Sequence, residues 1–237
     1  VTTDPANDVA SPWWYRWRSW VLGGVVYLAL YLSFGVAHAL KIEGFPIYQL
    51  FGANGEQWVF AGAFLLTALC WILRVWSASC LRPSVIWSRD ARTDSLIVTG
   101  PFRYTRNPLY LANLLLVAAL TAFGPPAGVP IVLLSAFAFI QGLIAFEERE
   151  LGARYGAAFE RYRARVPQLL PRLTPADATG ESDGLTRAGF LGETLSGCYA
   201  LSMLVLAVFG AYAWRYAFAV ALFGIVMQRF ALRLTER

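Results

Sequence analysis

The chain has 237 residues, 57% of them hydrophobic and only 15% charged, with a mean hydropathy of +0.50. A soluble domain of this length carries about 25% charged residues, so the composition excludes an ordinary water-soluble protein and predicts an integral membrane helix bundle, one domain over 1–237. The formal charge of +5 is no argument for nucleic acid as a partner, because the basic residues sit in loops between apolar runs.

Taken in order, the first apolar run covers about Trp17 to Leu40, behind Trp13, Trp14, Tyr15, Trp17 and Trp20, which suit an aromatic belt at the membrane interface. No small-residue cleavage site follows a short apolar run, so a removable signal peptide is not expected. The only histidine, His38, falls inside this run and is read as a buried packing residue. A second run covers about Gln57 to Ser77. A polar stretch from Ser79 to Asn107 then carries Arg82, Arg89, Arg92, Arg103 and Arg106. The third run, Pro108 to Phe123, is about 24 Å long as a helix, barely enough to cross a hydrocarbon core of roughly 30 Å. Gly124-Pro125-Pro126-Ala127-Gly128 makes a tight turn into the fourth run, Val129 to Phe146.

From Arg149 to Arg165, apolar residues at Leu151, Tyr155, Phe159 and Tyr162 continue to Val166 with helical spacing, and arginines occupy the other faces. This predicts an amphipathic helix lying on the membrane, with Gly156 as a candidate break. A linker over 173–187 leads to a C-terminal hairpin over 188–237, with spans at about Gly189–Gly210 and Ala213–Leu232. The fold class is therefore all-α: about six transmembrane helices plus a cytoplasmic interfacial helix. Eighteen of the 20 basic residues fall on one side of such a bundle, leaving Lys41 and Arg215 opposite. By the positive-inside rule the crowded side, with both termini, is the cytoplasm; the membrane is expected to be a prokaryotic inner membrane.

Cys70, Cys80 and Cys198 are scattered, and with one histidine they supply neither a zinc site nor a Ser-His-Asp type site. The polar residues that remain lie in two blocks flanking the third and fourth runs. The first is Thr99-Gly100-Pro101-Phe102-Arg103-Tyr104-Thr105-Arg106-Asn107-Pro108-Leu109-Tyr110, and the second begins at Glu147-Glu148. Each block has an ordinary reading. Proline at a helix's first position after an asparagine N-cap is common. Paired glutamates can be a solvated cluster matched to Arg149 or Arg103. If a new helix starts near Phe146, they would also sit at its favourable N-terminal end. A functional reading makes the glutamates acceptors for a cationic ligand or ribose hydroxyls.

The first block resembles the G-P-[YF]-R-Y-x-R-H-P-x-Y-x-G signature of the isoprenylcysteine carboxyl methyltransferase-like family, related to the phospholipid methyltransferases. Downstream, Glu147-Glu148-x-x-Leu151, Tyr155-Gly156, Tyr162, Arg165-Val166-Pro167 and Pro171 are similar to its second motif, and the resemblance covers about 57–172. It implies a membrane methyltransferase using S-adenosylmethionine in a cytoplasmic pocket, with a lipophilic small-molecule or lipid acceptor entering from the bilayer. Carried over by position, Gly100, Arg103, Tyr104, Arg106, Asn107, Pro108, Tyr110, Glu147 and Glu148 become cofactor-pocket candidates, with Arg106 for the cofactor's carboxylate. Tyr104, Tyr110 and Glu147 are the candidates for taking up a proton. No metal is implied. Asn107 stands where the family has histidine, Ala112 or Asn113 where it has glycine, and no basic residue precedes Glu147. A prenylcysteine-type carboxylate, a thiol, a hydroxyl and a lipid amine all stay open as acceptors. Two rival readings are an NADPH-dependent sterol-type reductase and a non-catalytic lipid-binding protein.

Overall fold

The apolar runs become helices, and their breakers set where each one stops. In this computed structural model, residues 11–41, 46–81, 96–176 and 184–235 are described. Arg82, Arg89, Arg92 and the middle of the predicted linker lie outside the described residues. All regular structure among those described is helical: α1 (Trp13–Arg16), α2 (Arg18–Ala39), α3 (Gly55–Cys80), α4 (Pro108–Leu120), α5 (Gly128–Tyr155), α6 (Ala157–Arg165), α7 (Arg187–Gly192), α8 (Thr194–Phe209) and α9 (Trp214–Thr235), with short 3-10 turns between. Six of these have 13 residues or more, as the six apolar runs predict. Among the described residues, three stretches are long and apolar enough to cross a membrane: Arg18–Ala39, Ile47–Cys80 and Gly128–Tyr155. Pro108–Phe123 and Thr194–Phe209 are shorter apolar helices.

The helices pack as a row. α2 lies on α5, α5 on α4, α4 on α3, α3 on α8, and α8 on α9. Small residues let neighbours approach, as at Gly128 against Ser33 and Gly224 against Cys198. Hydroxyls inside helices return to the preceding turn, as Thr67 does to the Ala63 carbonyl and Ser77 to that of Leu73, so they do not face the apolar surroundings unsatisfied. The outer surface is apolar, with Tyr27, Tyr31, Trp58, Leu65, Tyr216 and Phe223 all more than half exposed, a surface suited to lipid. At one end of the bundle, Glu56 accepts a hydrogen bond from the Ala211 amide. At the other, Gln228 reaches Gly192 and Leu195, Gly189 packs on Ser79, and Tyr15 reaches Glu147. Tyr15 and Gln228 therefore lie at the same end of the bundle.

Two expectations change, and the condition set on the glutamate pair is not met. His38 is exposed in the last turn of α2, not buried, because the inward stripe of that helix runs through Val26, Ala29, Ser33 and Ala37. No new helix starts near Phe146. α5 runs unbroken to Tyr155, so Glu147 and Glu148 lie in mid-helix and gain nothing from a helix N-terminus. The amphipathic stretch is thus two pieces, the end of α5 and α6, separated at Gly156, where φ is +49°. Its apolar stripe turns inward, burying Phe159 and Val166 at the end of the bundle, while Arg161, Arg163 and Arg165 stay exposed.

Gly100 also has a left-handed φ, +56°, and a Cβ there would lie 2.4 Å from the Cys80 sulfur and 3.2 Å from the Trp76 indole nitrogen. Gly100→Ala is expected to cost about 1–3 kcal/mol, seen as a lowered thermal midpoint of the detergent-solubilised protein; an unchanged midpoint would show that the turn does not need this approach to α3.

Candidate functional site

Arg106 leaves the polar turn just before α4 and reaches across to α5. Its Nε donates to Glu148 Oε1 at 2.9 Å and its Nη2 to Glu148 Oε2 at 3.2 Å, a bidentate pair with side chains only 9% and 12% exposed. Its Nη1 donates to the Val166 and Arg163 carbonyls at the end of α6. Four of its five N–H groups are thereby engaged. Arg106 is a structural clamp in this arrangement, rather than an open receptor for a carboxylate. Asn107 stands at the N-cap position, but its side chain caps nothing; the amide donates instead to Glu148 Oε1 at 3.2 Å and the Gln168 carbonyl at 3.0 Å. Thr105 donates toward the Gln168 and Leu169 carbonyls. Residues 166–176 thus run back along the turn, joined by backbone bonds from Arg106 to Pro167, Arg172 to Tyr104 and Ala176 to Arg103. Tyr162 on α6 donates to the Phe102 carbonyl at 2.9 Å. Burial pushes its phenol above the ordinary range, with Arg106 opposing and Glu148 adding, so it remains a donor.

Glu147, one residue along α5, points elsewhere. Tyr110 donates to its Oε1 at 2.7 Å, and Tyr15 from α1 donates to the same oxygen. The Arg18 guanidinium lies 4.6 Å from the Tyr15 ring centroid. Tyr15, Tyr110, Ile140, Leu143 and Phe146 form one packed cluster, which fixes the two phenols on the carboxylate.

These groups open on a cavity of about 660 Å³, within the range of small-molecule and cofactor sites. Its polar end is lined by Arg18, Arg106, Asn107, Tyr110, Glu147 and Tyr162. An apolar wall follows, including Leu22, Val26, Leu30, Leu116 and Val117 from α2 and α4. A second polar group, with Arg74, Asn113 and Glu193, lies on the same cavity. Of the residues predicted from sequence, Arg106, Asn107, Pro108, Tyr110 and Glu147 line it, and Glu148 holds Arg106 and Asn107 in place. Gly100, Arg103 and Tyr104 do not line it. Gly100 seats the turn on α3, Arg103 binds the Ala176 carbonyl, and Tyr104 packs on Trp76 at 5.8 Å.

The sequence reading missed Tyr15, taken as a belt aromatic, and gave Arg18 and Arg74 no place in a site. Tyr15 is 132 residues from Glu147, and no local pattern links them. Arg74 had a signal: a lone arginine well inside a long apolar helix points to a partner.

Residues 58–158 match the family profile described as phospholipid methyltransferase. This core is similar to the phospholipid methyltransferase family. It takes in α3, α4 and α5 and ends just inside α6, so Arg106, Asn107, Tyr110, Glu147 and Glu148 are family-core residues. Tyr15, Arg18 and Glu193 come from outside it. The chain is 30% identical over 132 residues to the cobalt-zinc-cadmium resistance protein CzcN of Cupriavidus metallidurans, covering 53% of this chain and 57% of that protein. It is 30% identical over 155 residues to methanethiol S-methyltransferase 2 of Bradyrhizobium diazoefficiens, covering 65% and 47%. It is 28% identical over 101 residues to the nickel-cobalt-cadmium resistance protein NccN of Alcaligenes xylosoxydans xylosoxydans, covering 43% and 44%. The chain thus spans about half the length of these curated relatives. No solved structure matches it. No group of three or more metal-ligating side chains occurs among the described residues.

Arg106→Met would leave Glu148 buried beside Asn107 without its cation, a loss of about 3–5 kcal/mol. The double variant R106M/E148M is expected to recover most of that stability. A double-mutant cycle on unfolding midpoints checks this, and additive losses would mean the two side chains do not act as a pair.

Proposed function

We propose that the protein is an S-adenosylmethionine-dependent methyltransferase acting on a lipophilic or membrane-partitioned acceptor at the cytoplasmic face of a prokaryotic inner membrane. The observation that carries this reading is Glu147, a carboxylate held by two phenols on a cavity whose adjoining wall is apolar. The chemistry of the lining fits the cofactor. Glu147 suits an ammonium or ribose hydroxyls, the faces of Tyr15 and Tyr110 suit a sulfonium or an adenine ring, and Arg18 offers a cation for a carboxylate. Arg106 acts here by holding Glu148 and the 166–168 segment, so its effect on binding is through position. When bound, S-adenosylmethionine supplies the methyl group and a neutral thioether as leaving group.

The chain's own contribution is alignment in a water-poor pocket, which is what a direct displacement needs most. Tyr15 and Tyr110 keep the Glu147 carboxylate in one rotamer. The apolar wall of α2 and α4 gives a lipophilic acceptor a place beside the polar end. Glu147 lies on the cavity where its carboxylate could receive an acceptor's proton; Tyr110, a neutral phenol donating to it, could only relay one, and Tyr104, packed on Trp76 off the cavity, is the weaker candidate. Support for the activity comes from the phospholipid methyltransferase core and from the relative named for methylating methanethiol. Support for the orientation comes from the arginine-rich side, which is the site's side. Support for reading the core near 57–172 and the C-terminal hairpin as one membrane domain comes from the cavity that both line.

Calorimetry in detergent is expected to show S-adenosylmethionine binding, weakened at least tenfold by Glu147→Gln and three- to tenfold by Tyr15→Phe, while thermal midpoints stay above those of Arg106→Met. Labelled methyl groups should pass from the cofactor into a membrane extract. Stabilisation by NADPH and not by S-adenosylmethionine would replace this reading with the reductase. Binding of neither, with no methyl incorporation, would leave a lipid-binding protein.

A further inference from the structure

The second polar group on the cavity wall is built from three helices. Arg74 on α3 donates from Nε to Glu193 Oε2 at 2.6 Å and from Nη2 to Oε1 at 3.0 Å, and its Nη1 donates to Asn113 Oδ1 on α4 at 2.9 Å. Ser196 on α8 donates to Glu193 Oε2 at 3.0 Å. Glu193 is 1% exposed, and it sits where α7 breaks from α8. Desolvating such a pair is costly, and apolar side chains would fasten the C-terminal hairpin to the core at least as well. Its place on the cavity gives it another use. Asn113 and Tyr199 both line the cavity, and the Asn113 amide NH2 and the Tyr199 hydroxyl make no hydrogen bond among the described residues.

We infer that Glu193, Asn113 and Tyr199 form the head-group pocket of the methyl acceptor, and that this pocket selects an uncharged hydrogen-bonding head, a hydroxyl, thiol or neutral amine, over an anionic one. The inference rests on the methyltransferase reading for the word acceptor, and on geometry for the selection. Arg74 and Glu193 cancel in charge, so the pocket carries no net cation for an anion to pair with. An anionic head would meet the buried Glu193 carboxylate at low dielectric, where like charges repel strongly. An uncharged head loses little on leaving water, provided its lone pairs and proton are matched. The Asn113 and Tyr199 donors and the carboxylate's remaining lone pairs supply that match. Glu193 and Tyr199 lie outside the 58–158 core, so this hairpin gives the shared fold its own acceptor preference.

The test is binding, and it does not depend on turnover. Decanol and decanesulfonate, which is anionic at any working pH, are titrated calorimetrically into the detergent-solubilised full chain and two variants. The wild type should favour decanol. Tyr199→Phe removes a hydroxyl with no partner among the described residues, so it should fold normally and bind decanol three- to tenfold more weakly. Glu193→Gln should shift the decanol-to-decanesulfonate affinity ratio at least tenfold toward the sulfonate, with S-adenosylmethionine affinity within twofold of wild type. An unchanged ratio in both variants overturns the pocket and leaves Arg74–Glu193 as a latch. So does parallel loss of decanol and S-adenosylmethionine binding in Tyr199→Phe. Head-group selection that survives when the wild type binds no S-adenosylmethionine supports the pocket and sinks the methyltransferase reading instead.

Discussion

One ion pair organises the functional end of this bundle. The Arg106–Glu148 fork ties the turn before α4 to the middle of α5, and the remaining guanidinium donors tie both to the end of α6. Each partner satisfies a charge that burial would otherwise make expensive. With the fork in place, Asn107 has Glu148 to donate to, the 166–176 segment has a turn to run along, and the next residue of α5, Glu147, is aimed at the cavity. Glutamates adjacent in a helix point about 100° apart. That rotation is why one becomes scaffold and its neighbour can face a ligand.

The cavity is polar at two places and apolar between them, and three chain regions make it so. The family core supplies Arg106, Tyr110 and Glu147. The N-terminal segment supplies Tyr15 and Arg18. The C-terminal hairpin supplies Glu193 and Tyr199. The profile match ends at residue 158, so the N-terminal segment and the C-terminal hairpin close the cavity from outside it.

Much of the fold was legible because hydrocarbon leaves few choices: a backbone in lipid must satisfy its own hydrogen bonds, so long apolar runs become helices. The breakers gave their limits, as Pro108 at the start of α4 and Gly156 between α5 and α6 show. The continuation of α5 past Phe146 was less legible. The switch from apolar to charged residues there reads as a helix end, although charged residues extend a helix as readily as apolar ones once it leaves the membrane. His38 misled for a related reason: its position within an apolar run says nothing about which face it occupies. The motif residues were found as a set, but their division into cavity lining and support was not, since Tyr104 and Arg103 look as functional in the string as Tyr110 and Arg106 do.

Sequence alone determined the solvent, the helices, the loop charge pattern and the two polar blocks beside one hairpin. All of these follow from local composition and periodicity. Tertiary structure decided the pairings: Arg106 with Glu148, Tyr15 and Tyr110 with Glu147, and Arg74 with Asn113 and Glu193. These join residues from different helices, and which side chains meet depends on how each helix is rotated about its axis, a quantity set by packing between helices and carried by no single stretch of the chain.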